Sequence, residues 1–308
     1  MIKRLRGHYQ TIVPNLFRRV PVRYRRQRIP TPDGDFLDLD WKDHDSRRLL
    51  ILSHGLEGDS HRVYVASAAN HFHRLGYNIL AWNCRSCSGE MNLTPKLYSH
   101  GQSEDLETVV DHALAEDRFD EVVLMGYSMG GNLTLKYLGT LGDRRPPQVR
   151  CGIAFSAPCF IEHSADSLDL RWNYVYRRKF LSSLYAKISA KERQFPGRVD
   201  VSRIKDVRRW RDFDRWFSAP VSGYDDLDAY YAYLSSGNYV AGTTAPVLIV
   251  NAVNDPIVPR ACTPHELGRT HPLITVETPA RGGHVGFALR GRSYNGMDKR
   301  AADYLAAL

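Results

Sequence analysis

The 308-residue chain contains no apolar run approaching the roughly 20 residues that a membrane-spanning helix needs, so no segment is expected to cross a bilayer. Cysteine is scarce. Five thiols, an odd number in a chain this size, argue against a disulfide framework and for a reducing, cytoplasmic setting. Only one Cys-x-x-Cys occurs, Cys84-Arg85-Ser86-Cys87, and Cys151, Cys159 and Cys262 form no second, so a four-thiolate zinc site is not supported. A redox role for that pair is weakened because it follows a strand end, Tyr77–Trp82, instead of opening a helix. The sequence has no G-x-G-x-x-G and no Walker lysine, which leaves nucleotide binding without a carrier, and no cofactor or metal is expected. No helix-turn-helix, zinc finger or RNA-recognition signature is present, so nucleic acid is not an expected partner. Repeats and low-complexity linkers are also missing. Acid is absent from the first 28 residues, which hold nine Lys and Arg. The basic start Met1–Arg6 has no apolar stretch behind it, an argument against secretion.

What is present is an alternation of short apolar runs and helical patterns, the signature of a mostly parallel sheet flanked by helices. Residues 24–29 and 36–41 read as an antiparallel pair around Pro32-Asp33-Gly34. Core strands are expected near 49–53, 78–82, 121–126, 151–156, 247–251 and 273–278. Helices are expected over 61–75, 103–116, 131–141, 262–269 and 294–307. The length suits one large domain, 1–308. Between Ser156 and Thr244 no core-strand pattern appears, and such an interval is too long for a plain connection. Residues 157–243 are therefore expected to form an inserted helical cap, with fixed packing helices as the alternative.

Between the run Val122-Val123-Leu124-Met125 and a helical pattern lies Gly126-Tyr127-Ser128-Met129-Gly130. Strand, G-x-S-x-G, helix is the context of a nucleophile elbow, in which a serine on a strained turn needs nearly bare neighbours two residues to either side. A serine hydroxyl is a poor nucleophile unless a base takes its proton and a third group orients the base. Asp255, in the loop after the apolar run Val247–Val250, and His284, Gly-flanked after the run 273–278, follow in the required order. Asn254, Asp225, Asp226 and Asp228 compete with Asp255 as the orienting residue. Two backbone N–H groups must meet the developing oxyanion. Met129, directly after the nucleophile, and Leu56, in the Gly-flanked loop His54–Gly58 after the run 49–53, are the expected donors.

These motifs together resemble the YheT-like branch of α/β-hydrolases, often called the AB-hydrolase-4 family. The resemblance runs from Gly7-His8-Tyr9-Gln10-Thr11 through Asp33–Trp41, His54–Gly58, Asn83–Asn92 and the elbow to Asn254-Asp255-Pro256 and Gly283-His284. It departs at Ser86, where most relatives carry Gly, a change expected to tighten that loop. The resemblance implies hydrolysis of carboxylic esters on acyl lipids or shorter acyl chains, with no particular substrate. Acyl transfer to an alcohol by the same triad, and a non-catalytic binding role, are the alternatives. The second is disfavoured because no triad member or elbow glycine is missing.

The formal charge of +8 is uneven: residues 171–215 hold fourteen basic residues against five acids, interleaved with Trp and Tyr. With the basic N-terminus they suggest peripheral contact with an anionic membrane, while plain solubility is the simpler reading. A small-molecule or lipid ester is the expected partner in either case.

Overall fold

A computed structural model describes residues 2–289 and 293–308; Met1, the first residue of the basic N-terminus, lies outside them. The chain runs α1 (Ile2–Phe17), β1 (Arg25–Pro30), β2 (Phe36–Lys42), β3 (Arg48–Ser53), α2 (Val63–Arg74), β4 (Asn78–Asn83) and α3 (Ser103–Leu114). It continues with β5 (Glu121–Tyr127), α4 (Met129–Leu141) and β6 (Val149–Phe155). Between β6 and the next strand come α5 (Ile161–Asp169), the long α6 (Tyr174–Gln194), α7 (Trp210–Phe213), α8 (Ala219–Val221) and α9 (Leu227–Leu234). The chain then completes the sheet with β7 (Val247–Val250), α10 (Leu267–Thr270), β8 (Ile274–Glu277) and α11 (Gly296–Ala307).

The eight strands form one sheet in the order β1-β2-β4-β3-β5-β6-β7-β8. β1 pairs antiparallel with β2, and β2 with β4; every later pairing is parallel. The central strands read as continuous apolar runs because both faces are covered. Along β3, Leu49 and Ile51 pack with Leu106, Val110, Leu133 and Leu138 of α3 and α4. Leu50 and Leu52 point the other way, to Val65, Phe72, Ala301 and Leu305 of α2 and α11. The helices between β6 and β7 hold a core of their own, with Ile188, Trp210, Phe217 and Tyr231 at its centre.

Two local expectations differ from the structure. The basic N-terminus is helical, although no helix is read there from the sequence. The helix expected over 262–269 is broken into a turn at Arg260–Cys262 and the single turn α10. Thr263 is extended, at φ −100° and ψ 129°, because Pro264 follows it and its ring excludes the helical conformation.

The loop after β4 is held by a buried guanidinium. Arg85 contacts Asp33 at 2.6 Å, Asp105 at 2.7 Å and Asp35 at 3.2 Å, joining the β1–β2 turn to the start of α3. Asp33 is pulled down to about 2 by its hydrogen bond from Arg85. Burial outweighs the same cation at Asp105 and raises it. Ser86, next in line, sits at φ +60°, the region that favours glycine. Its hydroxyl donates to Asn92 Oδ1 at 2.5 Å and accepts from the Asn92 N–H at 3.1 Å, which ties the loop at this position. Arg85→Met should leave the buried Asp35 and Asp105 carboxylates without their cation and cost about 3–5 kcal/mol. Urea denaturation measures this, and an unchanged midpoint would contradict the role assigned to Arg85.

Candidate active site

Ser128 sits between the last residue of β5 and the first of α4, at φ +53° and ψ −119°. The turn is possible because α4 lies almost against β3: a Cβ on Gly130 would stand 2.2 Å from the Ser53 carbonyl oxygen. The Ser128 N–H donates to the Phe155 carbonyl at 2.8 Å, fixing the elbow on the end of β6.

His284 Nε2 lies 2.9 Å from Ser128 Oγ, and His284 Nδ1 lies 2.9 Å from Asp255 Oδ2. The other Asp255 oxygen accepts from the Ile257 and Val258 N–H groups at 2.8 and 2.9 Å. A carboxylate only accepts, so the imidazole proton is assigned to Nδ1 and the Nε2 lone pair faces the serine hydroxyl. Sequence reasoning left competitors to Asp255; of these Asp225, Asp226 and Asp228 are exposed. Asp226 caps α9 through the Ala229 N–H, and Asp228 lies near Arg211. Asn254 spends its side chain on Gln10 and on the Gly282 and Gly283 N–H groups.

The loop after β3 comes to the same point, where a Cβ on Gly55 would meet Ser128 Cβ at 3.1 Å. Its shape is set by groups that the sequence reading did not single out. His54 Nε2 accepts from the Cys84 N–H at 3.0 Å, so Nδ1 donates to the Gly55 carbonyl at 2.7 Å. The Tyr64 hydroxyl accepts from the Gly55 N–H, and the Tyr98 hydroxyl from the Glu57 N–H. The N–H groups of Leu56 and Met129 have no hydrogen-bond partner among the described residues. From the inserted helices, Ser183 and Lys187 of α6 reach the Glu57 carboxylate, Lys187 at 2.7 Å.

The N-terminal helix braces the far side. The Thr11 hydroxyl accepts from the His284 N–H at 2.9 Å and donates to the Gly7 carbonyl at 2.8 Å. Gln10 Oε1 accepts from Asn254 Nδ2 at 2.7 Å. Gly7 allows the approach, since a Cβ there would stand 2.0 Å from the Asn254 carbonyl oxygen. The Gly7-His8-Tyr9-Gln10-Thr11 motif was visible in the sequence. Its partners, more than 240 residues away, were not.

The cysteine pair lies under α6. Burial pushes Cys87 up to about 11 and Cys84 well above its ordinary value, which disfavours the thiolate that redox chemistry or metal binding requires. Among the described residues no group of three or more His, Cys, Asp or Glu side chains is arranged to hold a metal.

Sheet order, elbow and loop placement define an α/β-hydrolase. The family model described as serine aminopeptidase, S33, matches residues 44–273. The chain is 30% identical over 292 residues to human phospholipase ABHD3, covering 91% of this chain and 71% of that protein. It is 31% identical over 287 residues to YheT of Escherichia coli (strain K12), covering 91% and 84%. The solved structure of the Pyrococcus furiosus esterase Pf2001 superposes with a TM-score of 0.62 at 17% identity, covering 94% of this chain and 91% of that one, a likeness of fold alone. The chain belongs to the serine aminopeptidase S33 family of α/β-hydrolases, in the branch that holds YheT and ABHD3.

Two measurements follow from the bracing groups. Thr11→Val leaves the buried His284 N–H without an acceptor and should cost about 1–3 kcal/mol in urea denaturation, whereas Thr11→Ser should restore most of the loss. Equal stability of all three proteins would contradict the brace. Burial pushes His54 down to about 4 from 6.5, so its contribution to stability is full above pH 6.5 and is lost as pH falls toward 4. His54→Gln should be less stable than wild type at pH 7 and show a shallower loss of melting temperature across that window. An unchanged slope would mean that burial does not hold the His54 proton off in the fold.

Proposed function

We propose that this chain is a serine hydrolase of carboxylic esters, with Ser128 as nucleophile, His284 as base and Asp255 as its orienting partner. The observation that carries the proposal is the unbroken line Asp255–His284–Ser128, beside which the N–H groups of Leu56 and Met129 have no partner among the described residues. Ser128 Oγ attacks the ester carbonyl carbon while its proton passes to His284 Nε2. The carbonyl oxygen becomes an oxyanion that accepts from the N–H groups of Leu56 and Met129. Asp255 stabilises the imidazolium without taking its proton. Collapse of the intermediate expels the alcohol, which leaves with the proton from Nε2. Water, deprotonated by the same nitrogen, then cleaves the acyl-enzyme and regenerates Ser128.

The helices over residues 157–243 serve as a cap over this site. Their apolar core also packs against Leu56 of the oxyanion loop, Ile12 of α1 and Ile257 beside Asp255, which supports that reading. A lipid ester is the favoured substrate class. The phospholipase name of ABHD3 supports it, as do the exposed arginines and aromatics of α1 and α6, which suit peripheral contact with an anionic membrane.

A panel of p-nitrophenyl esters from acetate to palmitate, run beside monoacylglycerol and phospholipid, tests the proposal. Wild type should cleave at least one, with Ser128→Ala slower by roughly 10⁴–10⁶ and Asp255→Asn by roughly 10⁴ while still folded. Turnover by Asp255→Asn near the wild-type rate would remove Asp255 from the triad. No hydrolysis of any ester would contradict the reading.

A further inference from the structure

Helix α1 has two faces with different work. At about 100° per residue, Gly7 and Thr11 lie on the edge that meets the His284 and Asn254 loops, and Leu5, Tyr9 and Leu16 cluster within roughly 40° on the opposite side. That opposite side is bare. Leu5 is 61% exposed, Tyr9 64%, Leu16 66% and the adjoining Phe17 76%. The turn into α6 extends the same surface with Trp172, Tyr174 and Val175, all exposed. The two elements touch: the Arg4 guanidinium lies 3.7 Å over the Trp172 ring, and His8 stacks on Tyr176 with its Nδ1 2.9 Å from the tyrosine hydroxyl. Beside this surface opens a cleft of about 800 Å³ walled by Arg4, Arg6, Arg281, Leu170 and Trp172. Asp255 also borders it, with its carboxylate buried and committed to His284. Arg4, Arg6 and Arg281 have no carboxylate partner among the described residues.

We propose that α1 and the start of α6 dock this protein on an anionic phospholipid surface. The exposed apolar side chains enter the interface, and Arg4, Arg6 and Arg281 receive headgroup phosphates in the adjoining cleft. Guanidinium forks match phosphate oxygens, and a Trp–Arg pair suits the boundary between headgroup and acyl chain. Charge favours this occupant: a second copy of the chain would bring its own arginines against these, and nucleic acid would leave Leu5, Leu16 and Phe17 in water. Docking itself is independent of Ser128; its use in reaching a lipid ester rests on the hydrolase reading above.

Co-sedimentation of the full chain with vesicles tests it, using phosphatidylcholine alone and mixed with phosphatidylglycerol. Binding should require the anionic lipid and weaken steeply as salt rises, because the screening length shortens, to about 10 Å at 0.1 M. Arg4→Glu with Arg6→Glu should weaken it about 30-fold or more, at about 1 kcal/mol per basic residue. The triple variant Leu5→Ser, Tyr9→Ser, Leu16→Ser should also lose binding. Circular dichroism reports folding of both variants, and hydrolysis of p-nitrophenyl acetate should stay at the wild-type rate. Ser128→Ala should bind vesicles as wild type does, which separates this proposal from the catalytic one. Equal affinity for neutral and anionic vesicles, or affinity for neither, would overturn it. So would a wild-type dimer in sedimentation velocity that the triple variant abolishes, since the face would then belong to a second copy.

Discussion

The rest of the site depends on how closely α4 approaches β3. With no side chain at Gly130, the first turn of α4 rests on the Ser53 carbonyl, and only then can the chain reverse at Ser128 with φ +53°. β3 and β5 pair in register with Ser53 opposite Gly126, so the residues just beyond each strand end emerge side by side. One register therefore sets both the serine and the loop that carries Leu56. β6 adds the third constraint by accepting the Ser128 N–H at Phe155. A strained residue persists only where its surroundings over-determine it, and here three neighbouring strands do so.

The histidine side is assembled differently. His284 and Asp255 come from loops after β8 and β7, which pair over only four residues at one edge of the sheet. α1 supplies what the sheet does not, through Thr11 to His284 and Gln10 to Asn254. α6 performs a comparable service for the loop after β3, with Lys187 and Ser183 on Glu57. Elements distant in sequence thus close around a candidate site whose side chains sit on short loops. The outer surfaces of these same two elements carry exposed aromatics and arginines, so a partner on that surface would sit on the elements that brace the His284 and Glu57 loops.

Much of this was legible before the structure. Val122–Met125 and Val247–Val250 declare themselves as strands because burial on both faces forces continuous apolar runs. Ser128, Asp255 and His284 stand out because each follows such a run beside Gly or Pro. α1 did not stand out. Leu5, Tyr9, Leu16 and Phe17 face solvent while Gly7 and Thr11 face the protein, which blurs the pattern that marks an ordinary surface helix, and Pro14 lies within it. The turn at Thr263 was missed because Pro264 outweighs the surrounding propensity. The role of His54 was hidden for another reason. Its partners, Cys84 and Gly55, are backbone groups, and no side-chain pattern reports them.

The central claim is that Ser128 is the group that becomes acylated. Reaction of the folded chain with a fluorophosphonate, followed by intact-mass measurement and peptide mapping, tests it most directly. The account predicts one stoichiometric adduct, located on Ser128 and absent from Ser128→Ala. An adduct of equal yield on the variant, or one mapped to any other residue, would contradict it.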